Sequence, residues 1–496
     1  MTPWRALLRE IVLLDPDAPS VEFHRHWYTW GEVSRAMADL ARLLAAAGLP
    51  ESARIGVLQR NRPELVPVIL EVLTSGNCLV TLNPLYPEER LAEDIVKVQV
   101  PVIVGSGSDW QRPQIVAAAQ ASGALGIEVT AGDAGFIVAK RLDAAPEKWQ
   151  RTAARDVSVE MLTSGTTGTP KRIPLRTAAF EQSILNYLTF EKGGAVGQLR
   201  SGVQILNAPF SHIGGLGRLL STITAGRKSC LLEKFELEEF RDALRRHRPK
   251  VAWGAPAAVR MILDANVPAE ELSSLTAFRC GSAPLDPDLA DAFYERYGIP
   301  VLQNYGATEF GGVAGWTIDD FKQYHRSKRG SVGRLNKGVD GRITDVESGE
   351  VLPPGTKGIL ELRAREIGDG VNWQKTTDLA IVDADRFLWI VGRADNMIIR
   401  GGFKVSPDDV ARVLESHDAI RAAAVFGMPD ARLGQVPVAA LELNAGHAAP
   451  SNEELRSFLK ERLLPYQVPV DFRAVAALPR NHVMKVDLQA AKALFQ

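Results

Sequence analysis

Only three cysteines occur in 496 residues, and Cys78, Cys230 and Cys280 sit beside apolar residues at spacings that match neither a CxxC pair nor a zinc set. That excludes a disulfide framework and a thiolate metal centre, and leaves three small core residues. No run of 18 apolar residues appears, so no segment reads as a membrane-spanning helix. Met1 to Leu14 lacks the basic region, apolar stretch and small-residue cleavage site of a leader, and Ala493-Leu494-Phe495-Gln496 lacks a peroxisomal address, so a soluble cytoplasmic protein is expected. Net charge is nearly missing too: 58 basic against 59 acidic side chains leave a formal −1. Such a chain has no global field with which to gather nucleic acid or an anionic membrane. Any anion it binds must be met by local donors.

What is present is the composition of an ordinary folded enzyme, 46% hydrophobic and 24% charged, in a chain too long for one hydrophobic core. Trp30, Val33, Met37, Leu40 and Leu44 recur at helical spacing and stop at Gly48. Ile55–Leu58, the helical stretch Pro63–Thr74 and Cys78–Leu82 follow, and the alternation of strand-like and helical runs continues to about Asn304, with Val203–Leu206, Leu237–Arg246, Val251–Trp253 and Pro287–Tyr297. That pattern predicts layered α/β units with largely parallel sheets. Between about 330 and 394 short alternating runs separated by Gly and Pro turns predict a β-rich subdomain. Near Asp395 an α+β unit begins, with Ser406 placed to cap a helix that opens on Pro407. The expected fold is therefore α/β: a large N-terminal region, residues 1–394, made of layered α/β sheets plus the β-rich subdomain, and a small α+β C-terminal domain, residues 395–496.

The segment Thr163-Ser164-Gly165-Thr166-Thr167-Gly168-Thr169-Pro170-Lys171 follows the strand-like run Val157–Leu162. Its glycines let backbone N–H groups turn toward an anion, its hydroxyls add donors, and Lys171 supplies charge, so it suits phosphate. It is not a Walker loop, because Pro170 precedes the lysine and Arg172-Ile173-Pro174 follows it. A second segment, Asn304-Tyr305-Gly306-Ala307-Thr308-Glu309, offers an aromatic face for a base, a glycine for close approach, and a hydroxyl with a carboxylate for a phosphate and its Mg²⁺. Alone, either stretch would read as a solvated turn.

Together they resemble the signatures of the adenylate-forming superfamily, which includes acyl-CoA synthetases, the adenylation domains of peptide synthetases and luciferases. Supporting segments run in order from Tyr28-Thr29-Trp30 through Leu82-Asn83-Pro84-Leu85-Tyr86-Pro87 to the C-terminus. The resemblance implies that Tyr305 stacks on adenine, that Gly281-Ser282-Ala283-Pro284 and Asn304 line it, that Thr308 touches the α-phosphate and that Glu309 holds Mg²⁺. It implies further that Asp378, in Thr376-Thr377-Asp378-Leu379, and Arg393 hold the ribose, that Asp395 is the hinge of a mobile C-terminal domain, and that Lys485 is the electrostatic catalyst of adenylation. Gly401-Gly402-Phe403-Lys404 resembles the turn that lines the coenzyme A arm after the domain rotates.

By the same analogy His212, Gly215, Trp253, Gly281, Gly306 and Gly312 form the acyl pocket, with His212 also counted among the catalytic residues. An aromatic side chain and several glycines without an obvious counter-charge point to an apolar or aromatic acid. His212 stands where amino-acid-activating relatives carry an aspartate, which disfavours an amino acid. The implied reaction consumes ATP and yields AMP, with coenzyme A as acceptor; an acyl-AMP ligase loading a separate carrier protein, and a nucleotide-binding homologue with impaired catalysis, stay open. No carrier domain follows Gln496, and the expected assembly is a monomer or homodimer. The chain departs from the family where Arg172, Thr377 and Met484 replace the usual glycines, and where the stretch from Arg363 to Trp373 is contracted.

Overall fold

The computed structural model describes residues 2–163, 171–188, 197–365, 367–368, 370–481 and 484–495, with backbone alone for Thr163, Tyr187 and Leu188. They form two compact units: one runs to Val313 and takes in the short stretch around Ile367, the other comprises Ala314–Ala364 and the residues from Gly370 onward. Division by compactness thus falls well before the expected boundary at 394/395. The reason is local to the second unit: Lys404 pairs with Glu347 at 2.9 Å and Lys357 with Asp409 at 3.5 Å, joining the β-rich sheet to the residues that follow it.

The first unit is built on a seven-stranded sheet in the order Gly135–Leu142, Leu125–Gly132, Val102–Ser106, Arg54–Leu58, Cys78–Leu82, Val157–Thr163 and Lys171–Arg176. Its five inner strands are parallel, and the two outermost are antiparallel to their neighbours. Inner strands are covered on both faces, so Cys78–Leu82 and Val102–Ser106 are buried at every position, as their unbroken apolar runs require. Helix Trp30–Ala46 starts on a capping box between Thr29 and Glu32 and buries Val33, Met37, Leu40 and Leu44.

A second sheet carries Val251–Gly254, Ala277–Cys280 and Val301–Ala307 in parallel, followed by Gly311–Gly315. Helices Pro256–Asp264 and Pro287–Tyr297 each open on a proline at the first position, where its missing N–H costs nothing. One face of this sheet packs Ala252, Phe278, Cys280 and Val301 into a core with Phe240 and Phe293. Strand Val301–Ala307 runs four residues beyond the apolar stretch that ends at Gln303, so most of the second signature is β-strand rather than loop.

In the second unit Asp340–Thr344, Lys357–Arg363, Gln374–Val382 and Leu388–Arg393 form an antiparallel sheet in chain order, the β-rich region. After it, helix Pro407–Glu415, capped by Ser406 through the Asp409 N–H, packs with helix Asn452–Lys460 around Val410, Leu414, Leu455, Leu459 and Phe472. Among the described residues no helix is long and apolar enough to cross a membrane.

Candidate functional site

Strand alternation arranges the first unit's part of the site. Trp253 pairs with Arg279 and Arg279 with Leu302, while Phe278 faces Val301 in the core. With a two-residue period, Trp253, Arg279, Leu302, Asn304 and Gly306 therefore share the face opposite that core, and Tyr305 takes the other side. Gly281, one residue beyond its strand, joins them, since a Cβ there would meet the Asn304 Oδ1 at 2.8 Å. Asn304 Oδ1 is itself buried without a hydrogen-bond partner among the described residues. At Gly306 the backbone passes so near Gly311 that a Cβ would run into its carbonyl oxygen. Thr308 to Phe310 then turn the chain into strand Gly311–Gly315, leaving Thr308 buried, Glu309 exposed and Gly312 exposed on the returning strand.

His212 is the N-cap of helix Ile213–Thr224, where its Nδ1 accepts from the Gly214 N–H at 3.3 Å. A Cβ on Gly214 would lie 3.9 Å from Ser282 Oγ, so the start of this helix faces the Gly281–Pro284 stretch. Gly215 is required by packing: a Cβ would strike the carbonyls of Ala208 and Pro209. Arg218, one turn beyond Gly214, packs directly on the Trp253 ring, and the Arg279 guanidinium lies 5.5 Å from the same ring's centroid. These two cations were missed in the sequence, because each reads singly as a surface charge and only the helix spacing from Gly214 and the pairing of Trp253 with Arg279 bring them together. Ser282, at φ +72°, and exposed Pro284 lie in the irregular stretch with Ala283. Burial pushes the Cys280 thiol up to about 12, which removes it as a nucleophile despite its place beside Gly281.

Lys171 opens strand Lys171–Arg176 opposite Thr163, exposed. Ser164, Gly165, Thr166, Thr167 and Gly168 lie outside the described residues. Arg172, which stands where the family has glycine, donates to the Thr81 carbonyl at 2.9 Å and forks onto both Asp94 oxygens at 2.9 and 2.7 Å.

The second unit holds the remaining candidates. Asp378 and Arg393 are directly opposed across antiparallel strands Gln374–Val382 and Leu388–Arg393, with 3.9 Å between Asp378 Oδ1 and Arg393 Nη1. Thr376 fixes the strand, donating to the Leu360 carbonyl at 2.8 Å and accepting from the Asp378 N–H at 3.1 Å. Arg393 also forks onto Asp395, 2.9 Å to each oxygen, and donates to the Thr377 hydroxyl. The ribose pair and the hinge expected from the sequence thus share one guanidinium. Gly401 and Gly402 form the exposed turn between strands Ile398–Arg400 and Phe403–Val405. Lys485 sits in a loop closed by Asn481, whose side chain accepts from the Lys485 N–H at 3.1 Å and whose N–H donates to the Lys485 carbonyl at 2.8 Å. Before it, Met484 adopts φ +63°, a conformation glycine enters without strain.

Elsewhere in the first unit Glu22, Cys230 and His247 offer ligand atoms within 4.8 Å of one another. Glu22 is already neutralised there by Arg246, and its other oxygen lies 2.6 Å from His247 Nε2, so the cluster is a network of the protein's own side chains.

Comparison with known proteins bears on the family and the fold. Residues 8–370 match the model of the AMP-binding enzyme family, and residues 409–485 that of the AMP-binding enzyme C-terminal domain. A peroxisomal OPC-8:0-CoA ligase 1 of Arabidopsis thaliana is 28% identical over 92% of this chain and 87% of its own length. A 2-succinylbenzoate–CoA ligase of Geobacillus kaustophilus is 29% identical over 98% and 97%. For the fold, ATP-bound MatB from Rhodopseudomonas palustris superposes with a TM-score of 0.82 at 24% identity over 99% of both chains. The o-succinylbenzoate CoA synthetase MenE of Bacillus subtilis, bound to its acyl-adenylate, gives 0.74 at 22% identity over 97% and 96%.

Proposed function

The chain belongs to the AMP-binding enzyme family, and we propose that it is an AMP-forming acyl-CoA ligase acting on an apolar or aromatic carboxylic acid. The observation that carries the reading is strand Val301–Ala307 with its turn, which sends Tyr305 and Gly306 to opposite sides and ends on Thr308 and Glu309. An aromatic ring, a close-approach glycine, a hydroxyl and an exposed carboxylate in six residues are what a base, an acyl group and a metal-bound phosphate ask for. The Asn304 oxygen, without a hydrogen-bond partner among the described residues, would suit the same ligand.

In the first half-reaction the acid's carboxylate attacks the α-phosphorus of ATP and pyrophosphate leaves, giving acyl-AMP. In the second, the coenzyme A thiolate attacks the acyl carbonyl and AMP leaves. The protein orients and neutralises; no covalent nucleophile is needed. Thr308 and Lys171 would donate to phosphate oxygens, Asp378 would accept the ribose hydroxyls and Arg393 donate to the sugar. Glu309 would hold Mg²⁺, which would neutralise phosphate charge. His212, with Nδ1 engaged by Gly214, would present its other ring nitrogen to the acyl site. Lys485 would stabilise the charge that develops during adenylation, and Gly401 and Gly402 would pass the thiol arm after the segment beyond Asp395 turns. Division at 394/395 into a nucleotide-and-acyl region and a mobile domain, and a cytoplasmic location, belong to the same reading.

The test separates the half-reactions. Lys485→Ala is expected to lower acid-dependent pyrophosphate release by two to three decades, the cost of one positioned donor. Thioester formation from supplied acyl-AMP should stay near the unaltered rate, and equal loss of both would defeat the assignment. Running the second step with coenzyme A and with a carrier protein's phosphopantetheine arm decides the acceptor.

A further inference from the structure

Helix Ile213–Thr224 and the strip of sheet that carries Gly281 and Gly306 face each other, and side chains from the two sides meet at one end of the gap. At the helix start there is room: Gly214 has no side chain, and a Cβ there would still lie 3.9 Å from Ser282 Oγ. Four residues on, and so on the same side of the helix, Arg218 packs directly on the Trp253 ring of the sheet. We propose that Arg218 and Trp253 form the floor of the acyl pocket, so that the enzyme selects compact acids, with one aryl ring or a short alkyl chain, and excludes long-chain fatty acids. This rests on the reading of that face as the acyl site.

The two elements set the depth separately. Four helical residues, from Gly214 to Arg218, rise about 6 Å. On the sheet side the step from Ser282 back to Arg279, the cross-strand partner of Trp253, is three residues and at most about 10 Å. Either length takes a single ring, and neither takes the extended tail of a long-chain acid. Bulk also changes abruptly from one row of the sheet to the next. Trp253, Arg279 and fully buried Leu302 fill one row, whereas the positions beyond it on this face include Gly281, Asn304 and Gly306.

The floor is held from several sides. The Trp253 carbonyl accepts from Asn207 Nδ2 at 3.0 Å. At the next residue, Gly254, a Cβ would meet Ala258 and Phe278, so the strand has no space to shift toward the core. Arg279 lies 5.5 Å from the same indole centroid, and both arginines make further interactions of their own. Stacking of a guanidinium on indole adds to the hold. A longer acid would have to push the ring and the guanidinium apart, and overfilling a packed site forces side chains out of their rotamers. The role is steric: the bulk at positions 218 and 253 sets the limit, not their charge.

The test measures kcat/KM for the full chain with Mg-ATP and coenzyme A on benzoate, hexanoate, dodecanoate and hexadecanoate. The better of the two compact acids should exceed hexadecanoate by about a hundredfold or more. Trp253→Ala and Arg218→Ala should each raise the ratio of dodecanoate to hexanoate by about tenfold or more. Arg218→Met, which keeps length without charge, should leave that ratio close to its unaltered value. A gain on the longer acid cannot come from misfolding, and one truncation suffices if the other does not fold. Hexadecanoate used as well as hexanoate by the unaltered enzyme, or a ratio that neither truncation moves, overturns the proposal, while AMP production from these acids leaves the ligase reading intact. A ratio raised as much by Arg218→Met as by Arg218→Ala overturns the steric role. If no acid yields AMP, both readings fall together.

Discussion

Glu71 shows how a single charge is tolerated in the core that supports the site. It lies on helix Leu65–Thr74, every residue of which is buried, with Arg9 3.8 Å away. Burial raises its carboxyl from 4.5 to about 7, and attraction to Arg9 offsets only part of that. The folded state therefore holds a proton that the unfolded chain has already released between about pH 4.5 and 7. Across that window stability falls as pH rises, because the native state binds more protons than the unfolded one. Glu71→Gln removes the titration. It should be more stable than the unaltered protein at pH 8 by up to about 3 kcal/mol, the equivalent of the shift. The gain should shrink through pH 7 and vanish below about 4.5. Denaturant unfolding at pH 4.5 and pH 8 measures the difference; an equal effect at both pH values would show that Glu71 does not titrate in the window.

At the level of elements, Arg172 changes what the edge of the large sheet can do. A glycine at its position would add no side-chain tie to the ladder between strand Lys171–Arg176 and Val157–Thr163. Arg172 instead ties it to Asp94 on helix Glu88–Val98 and to the Thr81 carbonyl on strand Cys78–Leu82. The side chains of Arg172 and Asp94 are 16% and 14% exposed, so breaking the pair strands a poorly solvated charge. Asp94→Ala should cost about 2–4 kcal/mol. Asp94→Ala combined with Arg172→Gly should cost less than the sum of the singles, by at least about 1 kcal/mol in a double-mutant cycle. Additive losses would mean that the fork carries no coupling. Elements of this kind were legible in the sequence: the apolar runs of Cys78–Leu82 and Val301–Gln303, the cap at Ser406 and the prolines at 287 and 407 each forecast a strand or a helix start. Partners distant in sequence were not. Nothing local to Arg172 names Asp94, 78 positions earlier, and nothing local to Trp253 names Arg218, because such pairs are set by packing rather than by periodicity.

At the scale of the molecule, the residues that the resemblance assigns to the ribose and to the hinge meet in the second unit at a single side chain. Arg393 stands opposite Asp378, forks onto Asp395 and donates to the Thr377 hydroxyl. If Asp378 and Arg393 hold the ribose and Asp395 is the pivot, then loss or gain of nucleotide at the sugar is felt at the pivot without any relay between them. Thr377 supplies a hydroxyl where the resemblance leads one to expect the family's usual glycine, which has none to offer. Its oxygen fixes one end of the guanidinium beside Asp378, a pre-organisation that would reduce the ordering cost of binding a sugar on the proposed reading. Thr377→Val keeps the shape and removes the acceptor. It should raise the KM for ATP about three- to tenfold, the range expected when one charge-assisted hydrogen bond is lost with partial compensation. The rate of thioester formation from supplied acyl-AMP at saturation should barely change, since the ribose is then bound before the step begins. A fall in kcat for both half-reactions at unaltered KM would place Thr377 in the pivot instead, acting on the turn of the domain rather than on the sugar.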